Sequence, residues 1–279
     1  MFERSYHFIP ADQPKLFDRV HNLGADTYIF DLEDAVAGNK KHDALNSLKE
    51  WLESQNDYAP FYIRINLLSH ILAEAQRDLL TKFPDIGVVL PKLDSIEALE
   101  RTSEFYGFTE KRRIIGLIEN ATGLINLQKI LNKGLMTSIG LGLEDFTCSS
   151  IFDNNQLSRL VNRIRTEIAL HAMAFGINAI DTASLDLSGG KNFQAEIDVA
   201  RSTGMTSKFT IHPNQIKPVN EGFSPSANLA EKARNLTNKN NNLSLENGYS
   251  VSHGEIQSPP KLKKLHIIKE FLEHHEITR

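Results

Sequence analysis

Short apolar runs alternate with longer amphipathic stretches along most of the chain. The runs are rich in β-branched and aromatic residues and almost continuously apolar, which is typical of parallel strands covered on both faces. The stretches between them, such as 95–106, 123–133 and 155–175, carry apolar residues at helical spacing. Eight runs predict strands, at 6–11, 27–33, 61–66, 87–93, 113–119, 137–144, 179–187 and 207–212.

Eight successive strand–helix units predict an α/β fold, a closed TIM (β/α)8 barrel over residues 1–226. An open, doubly wound parallel sheet is the alternative. After residue 226 the pattern changes to a helical stretch at 228–235, a polar run at 238–242 and a basic amphipathic helix at 262–275. We therefore expect residues 227–279 to form a short helical appendage that packs on the barrel or reaches a neighbouring subunit.

Composition narrows the class of protein. The length of 279 residues suits a single barrel, and the net charge of −4 argues against a nucleic-acid partner, which would need a concentrated positive surface. The single cysteine, Cys148, cannot form a disulfide within the chain and fits a reducing compartment. No leader segment is visible, and no apolar run approaches the roughly 20 residues of a membrane helix. We expect a cytoplasmic protein without a membrane partner.

Two acidic residues close consecutive predicted strands, Glu119 and Asp145. Neighbouring strands lie about 4.8 Å apart, so both carboxylates can point into one small space, where they would repel each other. A divalent cation relieves this repulsion, and Mg²⁺ characteristically uses one or two protein carboxylates. The sequence therefore predicts a Mg²⁺ site, open also to Mn²⁺. The alternative is that each carboxylate pairs with its own lysine or arginine at the rim.

Other polar residues follow neighbouring strands. Arg64 has the paired donors that suit a carboxylate or a thioester oxygen, or it neutralises acidic neighbours. Glu33, between Asp31 and Asp34, could supply a catalytic base or order metal-bound water; rim ion pairing or helix capping is the alternative. Glu144 is a candidate for substrate binding beside Asp145, or only a charge at the strand end.

Ordered motifs accompany these residues at 4–10, 24–26, 30–36, 64–66, 90–92, 118–119, 142–145, 177–182, 208–213, 215–216 and 223–226. Together they span about 220 residues and resemble the citrate lyase β-subunit-like family within the HpcH/HpaI aldolases. The resemblance implies a carbon–carbon lyase or synthase that acts on a short hydroxyacyl-CoA, such as citryl-, malyl- or citramalyl-CoA, through a thioester enolate. It also implies a homo-oligomer, a trimer or a hexamer.

The same resemblance assigns roles to individual residues. Glu119 and Asp145 would ligate Mg²⁺, Arg64 would contact the substrate, and Arg4 and Lys15 would meet coenzyme A. In this reaction, chelation of the substrate by the metal polarises the reacting oxygen. Arginine and metal together stabilise the charge that develops on the thioester.

The chain departs from the family pattern in its tail. Relatives carry an aspartate there that reaches a neighbouring subunit's site, whereas residues 253–260 place a serine at that point. Proton transfer would then use Glu33, water or another group, or the standard lyase activity would be absent. Two alternatives follow: an aldolase on a free 2-oxo acid without coenzyme A, or a catalytically weak binding or assembly subunit.

Overall fold

The computed structural model describes residues 3–239, 250–252 and 255–277. Residues 3–223 form one compact unit. Its eight parallel strands close into a barrel, because the last strand pairs with the first, with Ser5 opposite Lys208. The strands are β1 (Ser5–Pro10), β2 (Thr27–Asp31), β3 (Phe61–Arg64), β4 (Gly87–Leu90), β5 (Ile114–Ile118), β6 (Ser138–Leu141), β7 (Asn178–Asp181) and β8 (Ser207–Thr210).

Helices connect the strands and cover the barrel. Short 3₁₀ helices, Pro14–Arg19 and Gly38–Lys40, precede the first two of them. The helices are α1 (Val20–Leu23), α2 (Lys41–Glu53), α3 (Ala73–Lys82), α4 (Ile96–Tyr106), α5 (Ala121–Leu131), α6 (Leu143–Thr147), α7 (Ser158–Phe175), α8 (Lys191–Ser202) and α9 (Pro213–Gly222). The predicted eight-stranded barrel is confirmed, and the open sheet is excluded.

The predicted strands extend too far at their carboxyl ends. The sixth was expected to run to residue 144, but β6 ends at Leu141 and Gly142 leads the chain into α6. Glu144 and Asp145 therefore lie in the first turn of a helix rather than at a strand end. The reason is that the apolar run continues through Leu143, which is the first residue of α6, so the sequence pattern does not mark the end of the strand.

The barrel interior is packed with side chains. Alternate residues point inward, and they form one buried cluster of Tyr6, Ile29, Tyr62, Val89, Ile115, Leu117, Ile180 and Phe209. Gly140 makes room for this cluster, because a Cβ atom there would lie 2.6 Å from the Phe209 ring. Further along the inward-facing rows, polar residues follow at the carboxyl ends of the strands. We call this end of the barrel the mouth.

Two polar residues, one beside a family motif and one within a motif, act as helix caps. The Asn120 side chain accepts a hydrogen bond from the Gly123 amide at 2.8 Å and so starts α5 directly after Glu119. His212 accepts from the Asn214 amide at 3.3 Å at the start of α9. This contact gives His212 a structural role.

The described residues from Ser224 onward form a second unit. Helix α10 (Ala227–Lys239) packs on α11 (Pro259–Ile277) through an apolar cluster, and β9 (Ser250–Ser252) pairs with β10 (Glu255–Gln257) in antiparallel fashion. Ser258 caps α11 by accepting from the Lys261 amide at 3.4 Å. Positions 253 and 254 of the tail motif lie outside the described residues. Among the described helices, none is long and apolar enough to cross a membrane.

Candidate active site

Arg64 is fixed at the mouth by Asp31. The two residues lie opposite each other in the β2–β3 register, and Arg64 Nε donates to Asp31 Oδ1 at 2.8 Å while Nη2 donates to Oδ2. The guanidinium also lies 5.0 Å from the centre of the Phe8 ring. Because a bidentate pair and an aromatic ring both restrain it, the cation has one preferred orientation. Its remaining edge faces Glu33, with Nη1 3.6 Å from Oε2.

Glu33 is a buried carboxylate between cations. Lys92 Nζ donates to its Oε1 at 2.8 Å. Burial raises the pKa of Glu33 above its ordinary value, and the ion pair with Lys92 only partly offsets this effect. The loop that carries Glu33 is held by Lys41, whose Nζ donates to the carbonyl oxygens of Leu32 at 3.1 Å and Glu33 at 2.8 Å.

Lys92 joins the two acidic groups of the mouth. Its backbone amide donates to Glu119 Oε2 at 2.7 Å, while its side chain binds Glu33. Lys92 has a φ of 51°, a left-handed conformation that costs a non-glycine residue energy and is concentrated at functional sites. Lys92 was not among the predicted site residues. The available signal was its position two residues after β4, at the mouth.

Glu119 is only 4 % exposed at the end of β5. Burial, with smaller contributions from the charges of Asp145 and Glu33, raises its pKa to about 7, although the Lys92 amide and Arg64 act in the opposite direction. The backbone of Gly142 packs directly against this side chain. A Cβ atom at Gly142 would lie 2.5 Å from Glu119 Cγ.

Asp145 lies exposed in the first turn of α6, close enough to Glu119 for its charge to affect the pKa of that residue. Within the described part of the chain, neither carboxylate forms an ion pair with a lysine or arginine. The alternative, in which Glu119 and Asp145 each pair with a lysine or arginine at the rim, is therefore not found among the described residues.

The donor set suits a hard divalent cation. In the described ranges no three histidine, cysteine, aspartate or glutamate side chains group as a metal site. Glu119 and Asp145 would offer two carboxylates and leave positions for water and substrate, as Mg²⁺ prefers. A cation would also favour the charged form of Glu119, whose pKa is raised mainly by burial.

The structure brings some of the other predicted residues to the mouth. Glu144 is exposed and accepts from Asn154 Nδ2 at 3.0 Å. Lys15 is exposed on the 3₁₀ helix that follows β1, and its side chain binds no other described residue. Both side chains therefore belong to the rim.

Arg4 lies elsewhere. It precedes β1 at the opposite end of the barrel, where Nε and Nη2 donate to the Asp26 carboxylate at 2.8 and 2.7 Å. The expected contact of Arg4 with coenzyme A does not fit this position, because a parallel strand separates Arg4 from the mouth. The motif match was correct, but the first residue of the motif lies at the wrong end of β1.

Comparison with known proteins identifies the family of this chain. The model of the HpcH/HpaI aldolase/citrate lyase family matches residues 4–213. Human mitochondrial citramalyl-CoA lyase is 29% identical over 84% of this chain and 74% of that protein, and the citrate lyase β subunit of Leuconostoc mesenteroides is 27% identical over 84% and 80%. The crystal structure of CitE from Mycobacterium tuberculosis, in complex with magnesium, acetoacetate and coenzyme A, superposes with a TM-score of 0.75. It is 26% identical, and the match covers 97% of this chain and 98% of that one. The chain therefore belongs to the HpcH/HpaI aldolase/citrate lyase family.

Proposed function

We propose that this chain is a Mg²⁺-dependent carbon–carbon lyase or synthase that acts on a short hydroxyacyl-CoA of the citryl, malyl or citramalyl type. The observation that carries the proposal is the placement of two carboxylates at the barrel mouth, where Arg64 is also fixed. Glu119 follows β5 and Asp145 lies in the first turn of α6, close enough for their charges to interact. Relatives named for citramalyl-CoA and citrate cleavage, and a CitE complex with magnesium and coenzyme A, support it.

Glu119 and Asp145 would hold the cation, with Mn²⁺ as a substitute. When bound, Mg²⁺ supplies Lewis-acid polarisation of the substrate oxygens beside the reacting bond. The substrate's carboxylate would bind beside the cation, near Asp145 and Glu144 at the start of α6. The cation and these acidic residues thereby orient the carboxylate end of the substrate, and its thioester end lies toward Arg64.

Glu33 and Arg64 would carry the chemistry of bond cleavage. Glu33 accepts the proton of the 3-hydroxyl group, the carbon–carbon bond breaks, and the 2-oxo acid leaves while its bonding electrons form the thioester enolate. Arg64 stabilises the enolate oxygen, since its charge is permanent and Asp31 fixes its orientation. The protonated Glu33, directly or through water, then returns a proton to the enolate carbon and gives the acyl-CoA product. The raised pKa of Glu33 makes it a stronger base than an exposed glutamate.

Lys15 is the coenzyme A contact that we retain. Its unpaired ammonium on the rim after β1 suits a phosphate group. Arg4 is not part of the proposed site because Asp26 engages it at the other end of the barrel.

The test is turnover of citryl-, malyl- and citramalyl-CoA with Mg²⁺. Glu119→Gln and Asp145→Asn should each remove activity while the fold is retained. Glu110→Gln, in an exposed residue before β5 at the other end of the barrel, is the matched control and should leave activity unchanged. If all three thioesters are inert while Mg²⁺ binds, the catalytic proposal is wrong and a weak binding subunit without the tail acid is the better description.

A second candidate is an aldolase on a free 2-oxo acid. The position of Arg4 favours it, because one of the two expected coenzyme A contacts is away from the mouth. Calorimetric titration of acetyl-CoA in the presence of Mg²⁺ separates the two. Binding that Lys15→Ala weakens supports the thioester substrate, and no binding supports the free acid.

We also propose that the protein is a cytoplasmic homo-oligomer, a trimer or hexamer. Large exposed apolar side chains on the loops of the mouth support assembly, as at Ile71 (92%), Ile151 (91%) and Leu185 (71%). Light scattering on the eluting protein measures the number of subunits. A monomer at all concentrations would contradict this proposal.

A further inference from the structure

A buried charged group lies behind the barrel wall, and the proposed chemistry does not use it. Lys208 on β8 and Asp181 on β7 are both 0 % exposed, with Lys208 Nζ 2.6 Å from Asp181 Oδ2. Arg165 of α7 donates from Nε to Asp181 Oδ1 at 2.7 Å. Burial alone would raise the pKa of Asp181, but the two cations hold it below its usual range, so the carboxylate is charged.

Lys208 makes a further hydrogen bond, to a residue at the mouth of the barrel. Its Nζ donates to the carbonyl oxygen of Thr182, the first residue after β7, at 2.7 Å. The Thr182 hydroxyl in turn accepts from the backbone amide of Leu143 at 3.3 Å. Leu143 is the first residue of α6, the helix that carries Asp145. The buried ion pair and the metal-site helix are therefore connected by consecutive hydrogen bonds.

Helix α6 needs such a contact. The first amides of a helix lack partners within the helix, and a side chain at the N-cap normally supplies one. The N-cap here is Gly142, which has no side chain to offer, because anything larger would collide with Glu119. Thr182 supplies the missing acceptor from the neighbouring strand. A helix of five residues has little stability of its own. The hydrogen bond from the Leu143 amide to the Thr182 hydroxyl therefore helps to fix the position of α6.

We propose that Thr182 is a positioning residue for Asp145, and that Lys208 and Asp181 fix Thr182 from behind the barrel wall. The Asp145 carboxylate has no hydrogen-bond partner among the described residues, so the backbone of α6 sets its position. This inference rests on the proposed Glu119–Asp145 metal site. It adds to that site the uncharged hydroxyl group of Thr182, which directly follows β7.

The experiment compares Thr182→Val, which removes the hydroxyl, with Thr182→Ser, which keeps it. Binding of Mn²⁺ is measured by electron paramagnetic resonance of the free ion, with Mg²⁺ as competitor and without substrate. Thr182→Val should weaken Mn²⁺ binding about 10-fold or more, as loss of a ligand-orienting contact does, whereas Thr182→Ser should stay near wild type. Thr182→Ala provides a second variant without the hydroxyl.

The outcomes separate the two proposals. If wild type and Thr182→Ser bind Mn²⁺ while both Thr182→Val and Thr182→Ala do so equally well, the positioning role is wrong and the metal site stands. If Thr182→Ser binds as weakly as Thr182→Val, packing rather than the hydroxyl is responsible, and the inference is again wrong. If wild type binds no Mn²⁺ or Mg²⁺, the proposed metal site itself is wrong, and the inference with it.

Discussion

Gly142 and Glu119 are in direct contact across the β5–β6 edge of the mouth. The distance of 2.5 Å from an added Cβ to Glu119 Cγ leaves no room for any side chain at position 142. The φ of −98° at Gly142 is accessible to other residues, so space rather than backbone conformation requires glycine there. The position of the Glu119 carboxylate thus depends on the absence of a side chain at Gly142.

Gly142→Ala should displace Glu119 and weaken Mg²⁺ binding by about 10-fold or more, because a ligand shifted by a fraction of an ångström no longer shares the cation. Gly38→Ala is the matched control, since a Cβ there meets nothing within 4 Å. Calorimetric titration with Mg²⁺ measures both. Equal affinities in the two variants would show that the side chain of Glu119 adapts.

Glu119→Gln should stabilise the metal-free protein at pH 8. The folded pKa of about 7 lies above the ordinary 4.5, so the folded state binds the proton more tightly than the unfolded state. The contribution of Glu119 to the free energy of unfolding therefore falls as pH rises from about 4.5 to 7, by on the order of 3 kcal/mol, and glutamine avoids this loss. Urea unfolding at pH 4.5 and pH 8 measures the difference. A variant less stable than wild type at pH 8 would contradict the prediction.

Mg²⁺ affinity should depend on pH through the same group. A metal ligand must be deprotonated, and Glu119 takes up a proton as the pH falls through about 7. Below that value the apparent affinity should fall by nearly 10-fold per pH unit, and above pH 8 it should level off. Titrations with Mg²⁺ between pH 6 and pH 8.5 test this. A constant affinity over that range would mean that Glu119 is ionised throughout.

Lys92→Gly and Lys92→Ala separate the backbone of Lys92 from its side chain. Both variants lose the ammonium that binds Glu33, so turnover should fall in both. Only glycine adopts a φ of 51° without cost, so the glycine variant should be more stable by about 1 kcal/mol. Thermal unfolding measures the difference. Equal stability would mean that the backbone at this position relaxes.

The barrel was predictable because eight apolar runs alternate with helical patterns. The location of Glu119 at the mouth was predictable because it closes the fifth run. Asp145 was assigned to a strand end, since a five-residue helix contains too little periodicity to be recognised. Arg4 shows another limit: a motif names residues near β1 but does not say which end of the strand each one occupies. The conformation of Lys92 follows from tertiary contacts, which periodicity does not encode.

The pairing of β1 with β8 has a consequence for biosynthesis. Because one edge of β1 pairs with β8, that edge stays unpaired during translation until β8 has left the ribosome. Folding of this contact is slow for the same reason, since the segments that meet are far apart in the chain. A nascent chain stalled before the eighth strand would therefore be open along that seam and a natural target for chaperones.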